Sequence, residues 1–367
     1  MTQLMKGDGV KRRLIQVGVG GWGSTWLEKV LGSPSWELVA CVDTNESVLE
    51  ETKSTHQIPS DRCFGSLAEA TRHVEADAAL IVVPPEWHLP AAVEAFRAGL
   101  HVLVEKPLAD TMANAHEMVR QAEASDKVLM VSQNYRYRRA PQTVARLLEE
   151  GWLGKVNSAT IEFRKAPHFV LPDVPHGYSH YKLVEDMSIH HFDQMRGILK
   201  EEPTAVYAQT RNPEWSWFAA PPIVSAVIEL ESGGLIHYYG SWVSRGRQTT
   251  WDGAWFIDCE KGQIEWAENR VRVRPEEIYY TVHLEGFLER GGWMEAEFLS
   301  DFAEDRAFTL EELGRCIEAG REPETSGRDN LRSVALTYAV VDSARLGERR
   351  QIADYLSLAP SSSQTPG

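Results

Sequence analysis

Residues 186–193, with the sequence DMSIHHFD, place two carboxylates and two histidines within eight positions. On a helix, Asp186 and His190 lie four positions apart and share one face. His191 points about 100° away from His190, because an α-helix has roughly 3.6 residues per turn. Residues of these types can bind a metal ion, relay a proton or brace a helix, and the segment alone does not choose among the three.

A second group of residues with chemical potential is the G-x-G-x-x-G segment at residues 18–23, GVGGWG. The apolar strand pattern RLIQVGV leads into it, the helix pattern STWLEKVL follows, and the next strand pattern, WELVACVD, ends at Asp43. In this context Gly18 permits a tight turn, Gly20 lets the backbone approach a pyrophosphate, and Gly23 allows close helix–strand packing. The start of the helix adds unpaired N–H groups for the phosphates, so the segment predicts a dinucleotide site.

Asp43 predicts which dinucleotide binds. A carboxylate at the end of the second strand accepts the hydroxyls of the adenosine ribose and repels a 2′-phosphate, and no arginine follows it. NAD is therefore expected in preference to NADP.

Lys106 is the third candidate, because the strand pattern HVLVE runs directly into Lys106-Pro107. The carboxyl end of a parallel strand is the edge at which doubly wound sheets bind their ligands. An ordinary solvated lysine is the alternative, and the position of Lys106 favours a role in ligand binding.

Length and composition bound the class of protein. A chain of 367 residues, 43% hydrophobic and 25% charged, is typical of a globular protein with two domains. The net charge of −15 argues against nucleic acid or an anionic membrane as a partner. The four cysteines are widely spaced and indicate free thiols in a reducing compartment. With no secretory signal and no apolar run near the ~20 residues of a membrane helix, the cytoplasm is expected.

Strand patterns alternate with helix patterns as far as residue 131, which predicts an α/β fold with a doubly wound parallel sheet. Residues 1–131 are therefore expected to form a Rossmann domain. From residue 132 to 357 the strands alternate apolar and polar residues, as in an antiparallel sheet, with a hairpin turn at 231–234. Helices are expected at about 295–304, 309–319 and 327–346, the last packing back against the first domain, and 358–367 reads as a flexible tail.

Several motifs together resemble the Gfo/Idh/MocA family of sugar and polyol dehydrogenases, over roughly residues 12–350. The matching motifs are the glycine segment, Asp43, Pro84-x-x-x-His88, Ala98-Gly99-x-His101-Val102, Glu105-Lys106-Pro107-Leu108 and Asp186-x-x-x-His190-x-x-Asp193. The resemblance implies a Rossmann domain followed by an α/β domain with a large, mostly antiparallel sheet. The open face of such a sheet commonly forms a subunit interface, so a homodimer or homotetramer is expected.

The resemblance also implies residue roles. Lys106 would contact both the substrate and the nicotinamide ribose, while Asp186 and His190 would line the substrate pocket, with His190 as acid/base. The expected cofactor-binding residues are Gly18, Gly20, Gly21, Trp22, Gly23, Asp43, Pro84, His88, Glu105 and Lys106. The chain departs from the family pattern at Val83-Pro84-Pro85, where many members have Thr-Pro-Asn, and at Ser188, where many have glycine.

Further candidates for substrate binding are Tyr135, Arg136, Trp215, Trp217 and His191. Tyr135 and Arg136 belong to a basic-aromatic segment that either faces the cleft or forms a charged linker. Trp215 and Trp217 lie in the loop NPEWSWFAAPP, and tryptophan either stacks on a sugar or packs in a core or interface. His191 is expected at the cleft margin or in a structural role.

A proton relay explains the opening segment best. Five histidines fall within residues 168–191, but they form no recognised zinc spacing, and no metal is expected. Histidine suits proton transfer because its ordinary pKa is ~6.5, and a lysine cation stabilises alkoxide character. The sequence therefore predicts an NAD-dependent dehydrogenase acting on a small carbohydrate or polyol. The alternatives are an NAD-retaining glycosidase or lyase that oxidises its substrate transiently, and a non-catalytic sugar or nucleotide sensor.

Overall fold

The computed structural model describes residues 11–166, 182–276, 292–299 and 304–357. These residues divide into two compact units. The first contains the described residues up to Tyr137 and those within 302–331, and the second contains those within 138–301 and 332–357.

The first unit is built on a six-stranded parallel sheet with the order β3-β2-β1-β4-β5-β6. Its strands are β1 Arg12–Val17, β2 Trp36–Val42, β3 Cys63–Phe64, β4 Ala78–Ile81, β5 His101–Val104 and β6 Leu129–Val131. Its first five helices are α1 Trp22–Leu31, α2 Glu46–His56, α3 Leu67–His73, α4 His88–Arg97 and α5 Met112–Ser125. The strand order reverses between β1 and β4, which is where such sheets bind ligands. The predicted doubly wound Rossmann sheet is confirmed.

Local sequence signals explain where these helices begin and end. The side chains of Asn45, Ser66 and Thr111 accept backbone N–H groups at the starts of α2, α3 and α5. Helix α4 ends just before Gly99, whose φ of +78° suits glycine in the left-handed region.

The second unit contains a nine-stranded sheet with the order β14-β13-β12-β11-β7-β10-β9-β8-β15. Its strands are β7 Val156–Arg164, β8 Pro203–Arg211, β9 Ile223–Leu230, β10 Leu235–Ser241, β11 Ala254–Cys259, β12 Gly262–Ala267, β13 Arg270–Pro275, β14 Met294–Glu295 and β15 Arg350–Gln351. The described residues also form the helices α6 Arg139–Glu149, α7 Ile189–Leu199, α8 Asp305–Ala319, α9 Gly327–Leu346 and α10 Ala353–Leu356. Every described strand pair of this sheet is antiparallel except β7 with β10, so the predicted mostly antiparallel sheet is confirmed.

The two faces of this sheet differ in character. Along β7 and β10, Phe163 and Tyr238 are buried on one face, whereas Arg164 and Tyr239 lie on the other. Helix α7 covers the buried face, since the His191 ring centre lies 4.9 Å from that of Phe163 and 5.8 Å from that of Tyr238. We call the opposite face the open face. Among the described residues, no ring of a helical residue packs on it as His191 does on the buried face, and it alternates polar and apolar side chains.

The helix expected at 295–304 is wrong over its described part. Met294 and Glu295 form β14, pairing with Val273 and Arg272, and residues 296–299 are not helical. The Glu295 carboxylate also binds the Arg270 guanidinium through two contacts of 3.1 and 2.7 Å, which favours the extended conformation. The next helix, α8, begins at Asp305, four residues earlier than expected.

The hairpin turn at 231–234 joins β9 to β10 as predicted. In the described ranges, no helix is long and apolar enough to cross a membrane. The predicted domain boundaries and the docking of the last helix on the first domain stay predictions, and the tail at 358–367 lies outside the described residues.

Candidate active site

The glycine-rich turn is fixed by steric contacts within the first unit. Gly18 has a φ of +86°, and a Cβ there would lie 2.1 Å from the carbonyl oxygen of Val82. A Cβ on Gly23 would lie 2.3 Å from the carbonyl oxygen of Gly18. Gln16, buried in β1, donates from Nε2 to the carbonyl oxygens of Gly18 at 3.0 Å and Gly23 at 2.8 Å. Sequence reasoning missed Gln16, whose only signal was one amide within the buried run 14–17 of β1.

The N-terminus of α1 has no side-chain cap and no acidic residue in its first turn. The capping position is Gly21, with φ +50°, and a Cβ there would have no atom within 4 Å. Backbone N–H groups at such an end lack partners within the helix and suit phosphate oxygens. This turn therefore fits the pyrophosphate of a dinucleotide.

Asp43 lies directly after β2 and beside the glycine turn. Its carboxylate accepts the backbone N–H of Val19 at 3.1 Å and that of Asn45 at 3.0 Å. The neighbouring Val42 carbonyl accepts the N–H of Gly18 at 2.8 Å. These contacts hold the carboxylate at the place where a dinucleotide fold binds the adenosine ribose.

Glu105 follows β5 and precedes Lys106, and it is only 6% exposed. Its Oε1 accepts from Trp26 Nε1 at 2.7 Å, from Trp22 Nε1 at 3.1 Å and from Ser132 Oγ at 3.2 Å. Its Oε2 accepts the backbone N–H of Lys106 at 3.0 Å. Both carboxylate oxygens are thus engaged by protein groups.

His88 is fully buried between two backbone carbonyls. Nδ1 lies 2.9 Å from the Pro107 oxygen, and Nε2 lies 2.9 Å from the Val83 oxygen. Carbonyl oxygens only accept, so a neutral ring can donate to one of them and only a charged ring to both. Burial lowers the pKa of His88, although these carbonyls oppose the shift. The expected cofactor residue His88 therefore contacts the protein through both nitrogens, whereas nearby Pro84 is exposed.

Asp186 and His190 lie at the start of α7 in the second unit. A π-helical turn, Val184–Ser188, precedes the α-helix and widens the turn that carries Asp186. Asp186 is half-buried, and His190 is 5% exposed. Such local π-helical turns are frequent at functional sites. The predicted helix is present, but its register over these two residues is not that of a regular α-helix.

His191 is fully buried and has a partner at each nitrogen. Nε2 lies 2.9 Å from the Trp251 carbonyl oxygen, so this nitrogen carries the hydrogen of a neutral ring. Nδ1 lies 2.9 Å from the Tyr238 hydroxyl, which in turn lies 2.8 Å from Ser188 Oγ. Burial is the main cause that lowers the pKa of His191 to about 4, with the Arg138 cation adding to the effect. Both nitrogens are used within the protein, which is the geometry of a structural brace.

The carboxylate of Asp252, which the sequence analysis did not single out, supports helix α7. Asp252, 6% exposed, accepts from Arg138 Nη1 at 3.0 Å and from Gln194 Nε2 at 3.0 Å. Asp252 directly follows Trp251, whose carbonyl binds His191. The loop after β10 is thereby tied to α6 and α7.

The remaining substrate candidates are dispersed. Arg136 is 5% exposed and pairs with Asp329 at 3.3 Å inside the first unit, while Tyr135 is half-buried. Trp215 is 51% exposed, with the Arg245 guanidinium 4.1 Å from its ring centre. It lines a cavity of about 420 Å³ together with residues of the open face, opposite to the face that α7 covers. Trp217 is half-buried, with its ring 4.8 Å from that of Phe218.

Within residues 11–166, 182–276, 292–299 and 304–357, no three His, Cys, Asp or Glu side chains are grouped so as to hold a metal ion. The other histidines of the opening cluster, His168, His176 and His180, lie outside the described residues.

The parallel sheet and the glycine turn define a dinucleotide-binding fold. Residues 12–133 match the oxidoreductase family with an NAD-binding Rossmann fold, and residues 142–265 match the GFO/IDH/MocA C-terminal domain. The chain belongs to the Gfo/Idh/MocA family, and it is an NAD-binding oxidoreductase of the sugar and polyol dehydrogenase type.

Individual relatives are similar over most of their length. D-apiose dehydrogenase of Paraburkholderia graminis is 26% identical over 341 residues, which is 90% of this chain and 86% of that protein. Inositol 2-dehydrogenase of Rhizobium meliloti is 25% identical over 345 residues, or 92% and 97% of the two chains. A crystal structure of an oxidoreductase from Agrobacterium radiobacter in complex with NAD+, L-tartaric acid and magnesium has a TM-score of 0.80 and 20% identity. It covers 94% of this chain and 99% of its own, and this likeness shows the fold.

Proposed function

We propose that this enzyme interconverts a secondary alcohol and a ketone on a sugar, cyclitol or related polyol. The supporting observation is that a chain with an uncapped glycine turn also carries Lys106 at the carboxyl end of β5 and the Asp186–His190 pair at the start of α7. A sensor needs the fold but has no use for an acid/base. The full set of groups therefore favours catalysis.

Each side chain has a distinct chemical role in this proposal. Bound NAD supplies the hydride acceptor. His190 takes the hydroxyl proton of the substrate, and the Lys106 cation stabilises the negative charge that develops on the oxygen. Asp186 hydrogen-bonds the substrate or orients the lysine. Among the other candidates, Tyr135 remains a proposed substrate contact, whereas Arg136 and His191 act indirectly because their polar atoms serve protein partners.

NAD is the proposed cofactor, in preference to NADP. The Asp43 carboxylate is held beside the glycine turn by two backbone N–H groups, so a 2′-phosphate would meet a fixed negative charge. The four thiols, of which Cys41, Cys259 and Cys316 are buried, fit a protein of the cytoplasm.

The open face of the second sheet is the proposed subunit interface of a homodimer or homotetramer. Tyr207, Val227 and Leu235 project from it with 41%, 36% and 40% of their surface exposed. Apolar side chains grouped on one sheet face are typical of an association surface. Light scattering of Val227→Glu should show a smaller species than the parent protein, and an unchanged mass for an oligomeric parent would contradict this interface.

Substitution at the two proposed catalytic positions tests the function. His190→Ala and Lys106→Ala should each lower kcat with the best alcohol substrate by roughly 10²-fold or more, the usual effect of losing such a group. His73→Ala and Lys29→Ala, at exposed positions of α3 and α1, serve as matched controls and should retain activity. Near-parental kcat in both active-site variants would contradict the assignment.

A further inference from the structure

The buried carboxylate of Glu105 joins three separate parts of the first unit. Two of its donors, Trp22 and Trp26, belong to the helix that begins in the glycine-rich turn. A third, Ser132, follows β6, and the fourth is the backbone N–H of Lys106 itself. All four donors are neutral groups of the protein; three of them bind Oε1 and one binds Oε2. Glu105 is thus a shared acceptor between the proposed phosphate-binding turn and the proposed catalytic lysine.

Arg306 of α8 reinforces the glycine-turn side of this arrangement. Its guanidinium lies 4.6 Å from the ring centre of Trp22 and 5.4 Å from that of Trp26, close enough for cation–π attraction. It also donates to Thr25 Oγ1 at 2.6 Å. The Trp22 ring, although 57% exposed, is therefore held at both its nitrogen and its face.

The hydrogen-bond directions decide what Glu105 can do. Oε1 already accepts three hydrogen bonds, all from protein groups, whereas Oε2 accepts the Lys106 N–H. Oε1 therefore serves the protein, and the contact of Oε2 links Glu105 to the Lys106 backbone. A shift of α1 when phosphates bind would move the two indole N–H groups. The same carboxylate would then shift against the Lys106 backbone, because its Oε2 accepts that N–H.

We propose that Glu105 is a positioning residue that couples the glycine-rich turn to Lys106, so that occupation of the turn places the lysine. The proposal rests on the dinucleotide-dependent function proposed above. It differs from direct cofactor binding by Glu105, because coupling requires the indole N–H groups of Trp22 and Trp26 as well as the carboxylate.

A double-mutant cycle on cofactor affinity tests this coupling without any substrate. The Kd for NADH is measured by fluorescence titration for the parent protein, Trp26→Phe, Lys106→Met and the double variant. Phenylalanine keeps an aromatic ring but removes the N–H. If the indole N–H helps to place the Lys106 side chain, its removal already weakens what that side chain contributes to NADH binding. The double variant should therefore depart from the product of the single effects by about threefold or more.

Trp36→Phe is the matched control, because Trp36 is equally buried in the same unit and its Nε1 donates to the Leu310 carbonyl at 2.9 Å, not to Glu105. The effects of Trp36→Phe and Lys106→Met on the Kd for NADH should multiply in the double variant. Trp22→Phe, at a half-exposed ring, repeats the cycle if Trp26→Phe does not fold, and it should show the same non-additivity.

Three outcomes overturn the proposal. Simple multiplication of the Trp26 and Lys106 effects would show that no coupling passes through Glu105. A large loss of NADH affinity in Glu105→Gln with no effect in either tryptophan variant would assign Glu105 to direct cofactor binding. A parent protein that binds no NADH would refute the proposed function itself, and the coupling with it, whereas additivity in an NADH-binding protein would refute the coupling alone.

Discussion

The buried, neutral state of His191 predicts how the stability of the second unit depends on pH. Its pKa falls from an ordinary 6.5 to about 4, mainly because the ring is buried. The unfolded chain therefore binds a proton in a range where the folded chain does not. The contribution is fully present above pH 6.5 and is lost as the pH falls from 6.5 to 4.

The size of the effect follows from this shift. One pKa unit corresponds to about 1.4 kcal/mol, so the full shift is worth roughly 3 kcal/mol, and about 2 kcal/mol of it is lost between pH 7 and pH 5. His191→Gln isolates this contribution. The amide can donate to the Trp251 carbonyl, as His191 Nε2 does, and can lie beside the Tyr238 hydroxyl, but it does not titrate.

Urea unfolding followed by circular dichroism at pH 7 and pH 5 measures the difference. The parent protein should lose about 2 kcal/mol more unfolding free energy between these pH values than His191→Gln does. His73→Gln, at an exposed position of α3, is the control and should keep the parental pH dependence. Equal losses in the parent protein and His191→Gln would refute the reasoning from burial.

The remaining predictions concern the first unit. Gly18→Ala should cost roughly 1–3 kcal/mol more unfolding free energy than Gly21→Ala in urea, because both positions have positive φ but only the first meets backbone atoms. Asp43→Ser should lower the preference for NADH over NADPH by about tenfold or more in fluorescence titrations, since it removes a fixed like charge. His88→Leu should cost roughly 1–3 kcal/mol in the same urea assay, because it removes the donor that faces two buried carbonyls.

Each of these has a contrary result. Equal costs for the two glycine variants would show that the turn relaxes around a new Cβ. An unchanged cofactor ratio would mean that Asp43 does not face the ribose. A parental midpoint for His88→Leu would mean that water or a rearranged loop satisfies both carbonyls.

Much of the fold could be predicted from the sequence because its signals are local. Apolar strands alternating with amphipathic helices predicted the parallel sheet, and Ser66 and Gly99 marked helix ends through capping geometry. The helix expected at 295–304 was wrong because pairing of β14 with β13 is a long-range contact, which no local pattern encodes.

The candidate site, like the fold, could be predicted only in part from the sequence. Residue types and spacing made Asp43, Lys106 and His190 candidates, which stay predictions, but they did not predict what each side chain contacts. The engagement of Glu105 by two tryptophans, and of both His88 nitrogens by carbonyls, depends on elements that meet only in the fold. The cofactor-binding roles expected for Glu105 and His88 stay predictions. In the structure, both side chains form hydrogen bonds with other groups of the protein.

The most direct test of the central claim is the absorbance at 340 nm when the purified protein is mixed with NAD+ and a panel of inositols, aldoses and glycosides, with product mass read in parallel. We predict that NADH accumulates in step with a ketone two mass units lighter than its substrate, and that His190→Ala abolishes this signal. A substrate consumed without net NADH would instead indicate an NAD-retaining lyase or glycosidase. NADH binding with no turnover of any member of the panel would contradict the proposed alcohol–ketone activity on these classes of substrate.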